Sequence, residues 1–264
     1  MPFLSICVPA VPERFDNLRK LLDSLERQTC HDFEIVVCLD GTTIDPDQDK
    51  DLLKQFNTQN FETWFTCVER TPGNEHLAHR NHARNVAANV ADGSWLFFCD
   101  VDMVLDAHWV AHARCAPERD VWAFSSPIVY LDEFGRPSRH PFGTMNTYYR
   151  KSSEAEFVVP AQVNAEGMPC MSRELFYALG QFNERFLGWG GNKVEFIARL
   201  NASAAEYHVM TSAQCYHNWH EPSAAVDPEL LTTNNLMVEA TKQMIEDNLA
   251  WWQAVNQNVK ELIR

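Results

Sequence analysis

The stretch from residue 81 to residue 102 combines a helical pattern, a glycine, an apolar run and two acidic residues. Apolar residues recur at the spacing of one helical face, at Ala83, Val86, Ala87, Val90 and Ala91. Gly93 is expected to end this helix in the left-handed backbone conformation. The apolar run at 95–99 is typical of a strand that is covered on both faces. A helix that leads directly into a buried strand predicts an α/β fold with a mostly parallel sheet.

Asp100 and Asp102 follow this apolar run directly. Open α/β sheets bind their ligands at the carboxyl ends of their strands, and carboxylates one residue apart can hold a hard divalent cation through oxygen atoms. The alternative is a turn that caps the next helix, with Asp106 as a second capping residue. Three other Asp-x-Asp triplets lie within 45–51, in a polar, proline-containing loop with no strand before them. Those triplets indicate a solvated acidic turn.

Strand and helix patterns alternate along residues 1–105, which predicts βαβ units. Strands are expected at 3–8, 33–39, 64–68 and 95–99, and helices at 18–28, 52–56 and 77–92. The first strand is expected to stop at Pro9 and Pro12. Right-handed crossovers then bring Asp40 and Asp100, at the carboxyl ends of their strands, to one edge of the sheet.

The remainder of the chain has a looser pattern. Strands are expected within 121–130 and 168–171, and helices at 172–179, 194–200 and 228–262. Ser172 is placed to cap its helix and Gly180 to close it. A break in the last helix is expected near Asn248, and the polar segment 132–155 is expected to be a mobile excursion.

The charge balance restricts the choice of partners. The chain of 264 residues carries 22 Lys and Arg against 36 Asp and Glu, a formal net charge of −14. Nucleic acid and anionic membranes are therefore repelled on average, and nucleic acid is an unlikely partner. Eight cysteines without CxxC pairs favour free thiols in a reducing compartment over a zinc site. No transmembrane segment and no signal peptide are recognised, so a cytoplasmic location is expected.

Two further motifs contain residues suited to ligand binding. Residues 188–191 read Gly-Trp-Gly-Gly, which lets the backbone approach a ligand closely while the indole offers a flat face for a sugar ring. A tight turn before a helix is the alternative. His217 and His220 follow a short apolar strand, and an imidazole there can complete a metal site that carboxylates begin.

These motifs together resemble nucleotide-sugar-dependent glycosyltransferases of the GT-A fold, close to the large family 2 and to its galactosyltransferase-like relatives. Residues 83–85 (Ala-Arg-Asn), 91–93 (Ala-Asp-Gly) and 97–102 (Phe-Phe-Cys-Asp-Val-Asp) resemble the family's ARN…A.G…DxD block. Residues 179–191 resemble the later block that ends in Gly-Trp-Gly. The resemblance covers about residues 3–222.

The resemblance implies a Rossmann-like, mostly parallel central sheet flanked by helices, with a smaller acceptor-side region and C-terminal helices. The implied organisation is a GT-A domain at 1–225, divided into a nucleotide-binding half at 1–105 and an acceptor-side half at 106–225, and a C-terminal helical extension at 226–264.

The resemblance also implies roles for individual residues. Contacts with the nucleotide-sugar are implied for Pro9, Asp40, Arg84, Asp100, Trp189 and Gly190. A divalent cation, Mn²⁺ or Mg²⁺, would be held by Asp102, with Asp100 at the ribose or the metal. His220 would be the third protein ligand, with His217 as the fallback.

One departure from the family pattern concerns the catalytic base. Inverting relatives carry Glu-Asp after the Gly-Trp-Gly-Gly run, where the Asp removes the acceptor's proton, whereas this chain has Asn192-Lys193. A protonated lysine cannot act as that base unless burial lowers its pKa. Glu195 lies about 200° around a helix from Lys193, so it does not simply replace the missing carboxylate. Asn192, Lys193 and Glu195 are the catalytic candidates, and the stereochemical outcome stays open.

The expected function is metal-dependent transfer of a sugar from a nucleoside diphosphate, UDP above all, to a hydroxyl or amine acceptor. The alternatives are a catalytically silent GT-A module that binds nucleotide-sugar or glycan, and a transferase that acts on modified DNA bases. The pair Trp251-Trp252 is expected to pack onto the sheet or into a homodimer contact rather than onto a membrane, because little positive charge accompanies it.

Overall fold

The computed structural model describes residues 1–41, 49–69, 79–119, 121–138, 157–158, 168–188, 190–203, 205, 207–220, 227–252 and 254. The strands are β1 (Leu4–Ala10), β2 (Phe33–Asp40), β3 (Glu62–Val68), β4 (Trp95–Phe98), β5 (Met103–Leu105), β6 (Ala123–Ser125), β7 (Ile128–Tyr130), β8 (Phe157–Val158), β9 (Cys170–Ser172), β10 (Tyr207–Met210) and β11 (Cys215–His217). The α-helices are α1 (Phe15–Glu26), α2 (Lys50–Leu53), α3 (Arg80–Val90), α4 (Trp109–Ala113), α5 (Arg173–Ala178), α6 (Asn192–Ala202) and α7 (Pro228–Asp247).

Within the described residues, eight strands form the central sheet in the order β3-β2-β1-β4-β9-β6-β10-β8. The first four are mutually parallel, β10 is parallel to β6, and β9 and β8 run antiparallel to their neighbours. Buried apolar side chains pack on both faces of this sheet, one cluster including α1 and the other including α3, α5 and α6. The expected α/β fold with a mostly parallel sheet flanked by helices is confirmed.

The first strand continues past the position at which the sequence pattern ends it. β1 runs through Pro9 to Ala10, with Pro9 in register with Cys38 of β2. The expectation that Pro9 stops the strand is therefore wrong. The physical reason is that β4 pairs with β1 only as far as Cys7, and a proline is tolerated where a strand has lost its partner on one side.

Gly93 has a different role from the expected one. It is not among the glycines with positive φ, so the prediction of a left-handed helix end is wrong. A Cβ at Gly93 would lie 2.6 Å from both the backbone nitrogen and the Oγ of Ser5. The Gly93 N–H also donates to Ser5 Oγ at 2.7 Å. Glycine is required there because the chain enters β4 in contact with the backbone of β1.

A second sheet of three strands, in the order β5-β11-β7, lies beyond β4. β11 is antiparallel to β5 and parallel to β7, and its register places His217 opposite Met103. Because Met103 directly follows Asp102, this pairing brings the histidine segment to the acidic residues after β4.

The expected helices of the second half are present as far as the structure describes them, and residues 255–262 of the predicted last helix lie outside the described residues. Ser172 caps α5 by accepting from the Leu175 N–H, and Gly180 has a φ of +81°, as predicted. The last helix ends at Asp247, next to the predicted break at Asn248. Of the tryptophan pair, Trp252 is buried in the core, whereas Trp251 is exposed. The part of the segment 132–155 beyond residue 138 lies outside the described residues.

The central sheet joins the two halves that the resemblance implies, since β1 to β4 come from the first and β6, β9 and β10 from the second. The proposed domain boundaries stay a prediction. None of the described helices combines the length and apolar composition that a membrane span requires. The eight cysteine thiols are free, and burial raises the pKa of the Cys38 thiol to about 12.

Candidate active site

Three side chains that could ligate a metal meet beyond the carboxyl end of β4. The Nε2 atom of His220 lies 3.1 Å from Oδ2 of Asp102, and Nε2 of His217 lies 3.6 Å from Oδ1. One ligand atom from each residue lies within 4.8 Å of the others, and no second such cluster occurs among the described residues. The backbone also holds this arrangement, because the Asn218 N–H donates to the Asp102 carbonyl at 2.8 Å. The structure thus brings together the carboxylate and both histidines that the sequence pointed to.

The chemistry of this cluster fits a divalent cation. Oδ1 of Asp102 is buried and has no hydrogen-bond partner within the part of the chain that the structure describes. Leaving a buried acceptor unsatisfied is costly, and a bound cation would remove that cost. The Tyr130 ring lies 5.0 Å from the ring of His217 and helps to fix it. One carboxylate and two imidazoles form a donor set suited to first-row transition metals such as Mn²⁺, whereas Mg²⁺ prefers oxygen ligands alone.

Asp100 is bound by two cationic side chains. Nη2 of Arg84 donates to Oδ1 at 2.7 Å, and Nζ of Lys193 donates to Oδ2 at 3.0 Å. Burial opposes ionisation of Asp100, but the charges of Lys193 and Arg84 outweigh it and hold the pKa of Asp100 well below its ordinary range. Asp100 is therefore a fixed anion in this site. The sequence placed all three residues in the site but did not predict that Lys193 and Asp100 pair.

The buried side chain of Arg84 is held in place by neighbouring residues. Its side chain is 2% exposed, its Nη1 donates to Oδ1 of Asn81, and its guanidinium lies 5.5 Å from the centroid of the Phe182 ring. Asn192, at the start of α6, donates to the same Asn81 oxygen at 3.2 Å. The first turns of α3 and α6 are thereby joined beside Asp100.

The sequence analysis assigned Arg84 to the site but gave no role to Asn81 and Asn85, the polar residues that lie beside it on α3. Asn81, Arg84 and Asn85 are almost fully buried, whereas Val90, assigned to the core face, is 48% exposed. The signal was available, since polar residues at i, i+3 and i+4 share one side of a helix.

A second polar group on the same helix involves Glu184. Its Oε1 accepts from Nδ2 of Asn85, and its Oε2 lies 2.9 Å from Nδ1 of His82. Burial raises the pKa of Glu184, but the hydrogen bonds from Asn85 and His82 outweigh this and lower it. These contacts tie the loop after α5 to α3.

Glu195 is placed in a different environment from Lys193. It is 2% exposed and accepts from Nε and Nη2 of Arg199, both at 2.8 Å. Thr241 of α7 also donates to it, at 3.4 Å. The carboxylate is thus occupied in the packing of α6 against α7, and the structure does not bring it to Asp100. The i, i+4 spacing of Glu195 and Arg199 could have indicated this pair.

The residues assigned to the nucleotide lie on neighbouring strands. Asp40 ends β2 and is 2% exposed, and its Oδ2 accepts from the His79 N–H at 2.8 Å. Pro9 lies near the end of the adjacent strand β1. Both residues are therefore at the sheet edge to which β4 delivers Asp100, as expected from parallel strands.

The glycines around Trp189 have positive φ values and contact a helix. Gly188, Gly190 and Gly191 have φ values of +63°, +100° and +76°. A Cβ on Gly190 would lie 2.6 Å from Cδ1 of Leu231 in α7, so the element that approaches these glycines is α7. Trp189, expected to form the floor of the sugar site, lies outside the described residues.

Comparison with known proteins gives the family of this chain. The profile described as glycosyl transferase family 2 matches residues 5–179. The chain belongs to glycosyl transferase family 2. The expected family and the expectation of a transferase enzyme are thereby confirmed.

Two relatives are identical to this family 2 chain at about a quarter of the aligned positions. Validoxylamine A glucosyltransferase of Streptomyces hygroscopicus subsp. jinggangensis is 26% identical over 239 residues, which cover 76% of this chain and 52% of the relative. An uncharacterised glycosyltransferase of Methanocaldococcus jannaschii is 24% identical over 160 residues, 57% of this chain and 52% of the relative. The chain thus spans about half the length of these relatives.

Solved structures confirm the GT-A fold of this family 2 chain. Residues 1–349 of S. aureus TarS in complex with UDP-GlcNAc align with a TM-score of 0.68 at 17% identity, covering 96% of this chain and 71% of that one. GalNAc-T7 with UDP, GalNAc and Mn²⁺ aligns with a TM-score of 0.65 at 16% identity, covering 96% of this chain and 51% of that one. At such identities the likeness establishes the fold.

Proposed function

We propose that this family 2 protein transfers a sugar from a UDP-sugar to a hydroxyl or amine acceptor and depends on a divalent cation. The observation that carries this proposal is the cluster of Asp102, His217 and His220 next to the fixed anion Asp100, at the carboxyl end of the sheet. The ligands named for TarS and GalNAc-T7, UDP-GlcNAc in the first and UDP, GalNAc and Mn²⁺ in the second, support the same donor and cofactor class.

Asp102, His217 and His220 would hold the cation. When bound there, the cation supplies positive charge to the nucleoside diphosphate as it departs. A charge that is positioned before the reaction begins stabilises the transition state without further reorganisation. The two imidazoles make Mn²⁺ the better match of the two metals considered.

The donor would lie along the sheet edge beside this cluster. Pro9 and Asp40 would border the nucleoside, and Asp100, whose carboxylate orientation is fixed by Arg84, would accept a hydrogen bond from a ribose hydroxyl. Arg84 and Lys193 offset the charges of Asp100 and Asp102. A divalent cation held by Asp102 would leave a positive surplus, which favours a diphosphate nearby. Trp189 and Gly190 are assigned to the sugar by the family resemblance.

The three catalytic candidates receive roles other than that of the base. The Asn192 amide joins α6 to α3, the Lys193 ammonium is paired with Asp100, and Glu195 is engaged by Arg199. Among these three residues there is therefore no carboxylate without a cationic partner to take up the acceptor's proton. This observation favours one second candidate function, a GT-A protein that binds a nucleotide-sugar without transferring it.

A binding and turnover experiment separates the two functions. The melting temperature of the protein is measured with a panel of UDP-sugars, with and without Mn²⁺, because a ligand that binds only the folded state raises it. UDP release is measured in the same mixtures with candidate acceptors. The transferase predicts a Mn²⁺-dependent rise in melting temperature together with UDP release, whereas the silent binder predicts the rise alone.

Asp102→Ala provides the decisive variant, and Asp23→Asn on the exposed side of α1 is its matched control. Loss of an outer-shell partner of a metal site costs about 10–100-fold, so loss of Asp102 itself is expected to lower Mn²⁺-dependent UDP release by about 100-fold or more. The control is expected to behave like the unaltered protein. Equal activity of Asp102→Ala and Asp23→Asn would refute the proposed metal site.

A further inference from the structure

We propose that Lys193 is a positioning residue that keeps Asp100 out of the cation site, so that the metal is held by Asp102, His217 and His220 and Mn²⁺ is selected over Mg²⁺. This inference rests on the proposed function, because it concerns the cation of that same site. It goes further by assigning the metal preference to a residue that is not a ligand.

Both oxygens of the Asp100 carboxylate are engaged in hydrogen bonds. Arg84 binds Oδ1 and Lys193 binds Oδ2, so each oxygen accepts a charged hydrogen bond. Charge-assisted hydrogen bonds are about twice as strong as neutral ones. Asp100 could become a metal ligand only by giving up at least one of them, and it does not belong to the cluster of metal-ligating atoms.

The Lys193 ammonium is held in place by the start of α6. Lys193 is the second residue of α6, and its N–H donates to Oδ1 of Asn192 at 2.8 Å. The side chain is only 24% exposed. Gly191, with its φ of +76°, packs against Val238 of α7 immediately before the helix. The first turn of α6 is therefore held by contacts on both sides, and it positions the Lys193 ammonium next to Asp100.

The exclusion of Asp100 determines which ligands the protein offers to the metal. With Asp100 excluded, the protein offers one oxygen and two imidazole nitrogens. Carboxylates, carbonyls and water suit both ions, but imidazole nitrogen binds the transition-metal ion Mn²⁺ more strongly than the harder ion Mg²⁺. Releasing Oδ2 of Asp100 would provide a second carboxylate oxygen beside the site and remove a positive charge. The added oxygen favours Mg²⁺ more than it favours Mn²⁺, whereas the removed positive charge favours both divalent cations equally.

The test is a metal competition that needs no substrate. Bound Mn²⁺ is measured by the electron paramagnetic resonance signal of the free ion, and Mg²⁺ is then titrated until half of the Mn²⁺ is displaced. Lys193→Met is expected to lower that Mg²⁺ concentration about tenfold, in the range found for second-shell changes. Lys193→Arg, which keeps the charge, and Lys242→Met, which removes an exposed lysine from α7, are expected to match the unaltered protein.

A double variant identifies the cause of the shift. If Asp100 is the group released, then Asp100→Asn combined with Lys193→Met restores the original Mg²⁺ midpoint, a result that a general loosening of the fold would not give. Lys193→Gln replaces the methionine variant if that variant fails to fold. An unchanged Mg²⁺ midpoint in a folded Lys193 variant, or no restoration by the double variant, overturns the inference. If the unaltered protein binds no more Mn²⁺ than Asp102→Ala, the proposed cation site fails instead.

Discussion

A substitution at Gly188 measures how tightly the loop of Gly188, Gly190 and Gly191 packs against α7. An alanine there meets two penalties. Its φ of +63° lies in the left-handed region, which costs a residue with a Cβ about 1–2 kcal/mol. The new Cβ would also lie 2.7 Å from Cδ2 of Leu230. Because this atom is the end of a half-buried side chain that can turn aside, we take the lower end of the overpacking cost, about 1 kcal/mol. Gly188→Ala is therefore expected to lower the free energy of unfolding by about 2–3 kcal/mol.

Gly135 provides the matched control. Its φ is +73°, close to that of Gly188, but a Cβ there would have nothing within 4 Å. Gly135→Ala should therefore show the backbone penalty alone, about 1–2 kcal/mol. The assay is urea unfolding followed by tryptophan fluorescence and circular dichroism for both single variants and for Leu230→Ala with and without Gly188→Ala. The double variant should cost less than the sum of its two single changes, because the truncated leucine leaves room for the methyl group. Equal losses in Gly188→Ala and Gly135→Ala would refute the packing argument.

Three further predictions concern stability and its dependence on pH. Arg199→Met leaves the buried carboxylate of Glu195 without its cationic partner and is expected to lower the free energy of unfolding by about 3–5 kcal/mol. Glu195→Gln should lower the melting temperature but keep UDP release. Loss of UDP release in a fully folded Glu195→Gln variant would contradict the structural role of Glu195. Trp252→Ala should cost about 3–5 kcal/mol because its side chain is buried. Trp251→Ala removes only an edge contact with the Trp252 ring and should cost about 0.5–1.5 kcal/mol. Chemical unfolding of the two variants checks both values. Because the pKa of Glu184 is lowered on folding, its ionised form stabilises the protein above its unfolded value of about 4.3, and that contribution is lost as the pH falls through the folded value. Urea midpoints of Glu184→Gln and of the unaltered protein should thus converge in acid and separate towards neutral pH, and a constant difference would argue against the hydrogen bonds described above.

Local patterns were sufficient for much of the fold. The alternation of β1, α1, β2 and later α3 and β4 follows from hydrophobic periodicity, which depends on residues close in sequence. The cap at Ser172 is equally local. The convergence of Asp102 with His217 and His220 is not local. It was suggested by the ligand chemistry of the histidines, and the family resemblance then ranked His220 ahead of His217. β11 then provides the physical cause, by pairing with β5 next to Asp102.

Contacts between distant segments account for what the sequence did not reveal. The role of Gly93 depends on the backbone of Ser5, and the glycines before α6 depend on leucines of α7. The pairing of Lys193 with Asp100 joins two motifs whose relative position only the folded chain defines. A pattern shows that a glycine or a lysine is unusual, but its partner is set by the tertiary structure.

The antiparallel strand β9 has a consequence for the order in which the chain can fold. The ribosome synthesises β9 after β4 and β6, yet β9 lies between these two strands in the centre of the sheet. Until the ribosome has released Cys170–Ser172, one side of the apolar strand Trp95–Phe98 carries unpaired backbone groups. An exposed apolar edge is a template for aggregation, so the nascent protein has to shield this edge, or be shielded by a chaperone, until β9 arrives. For the same reason, a gene fragment that stops after β5 should give an insoluble product.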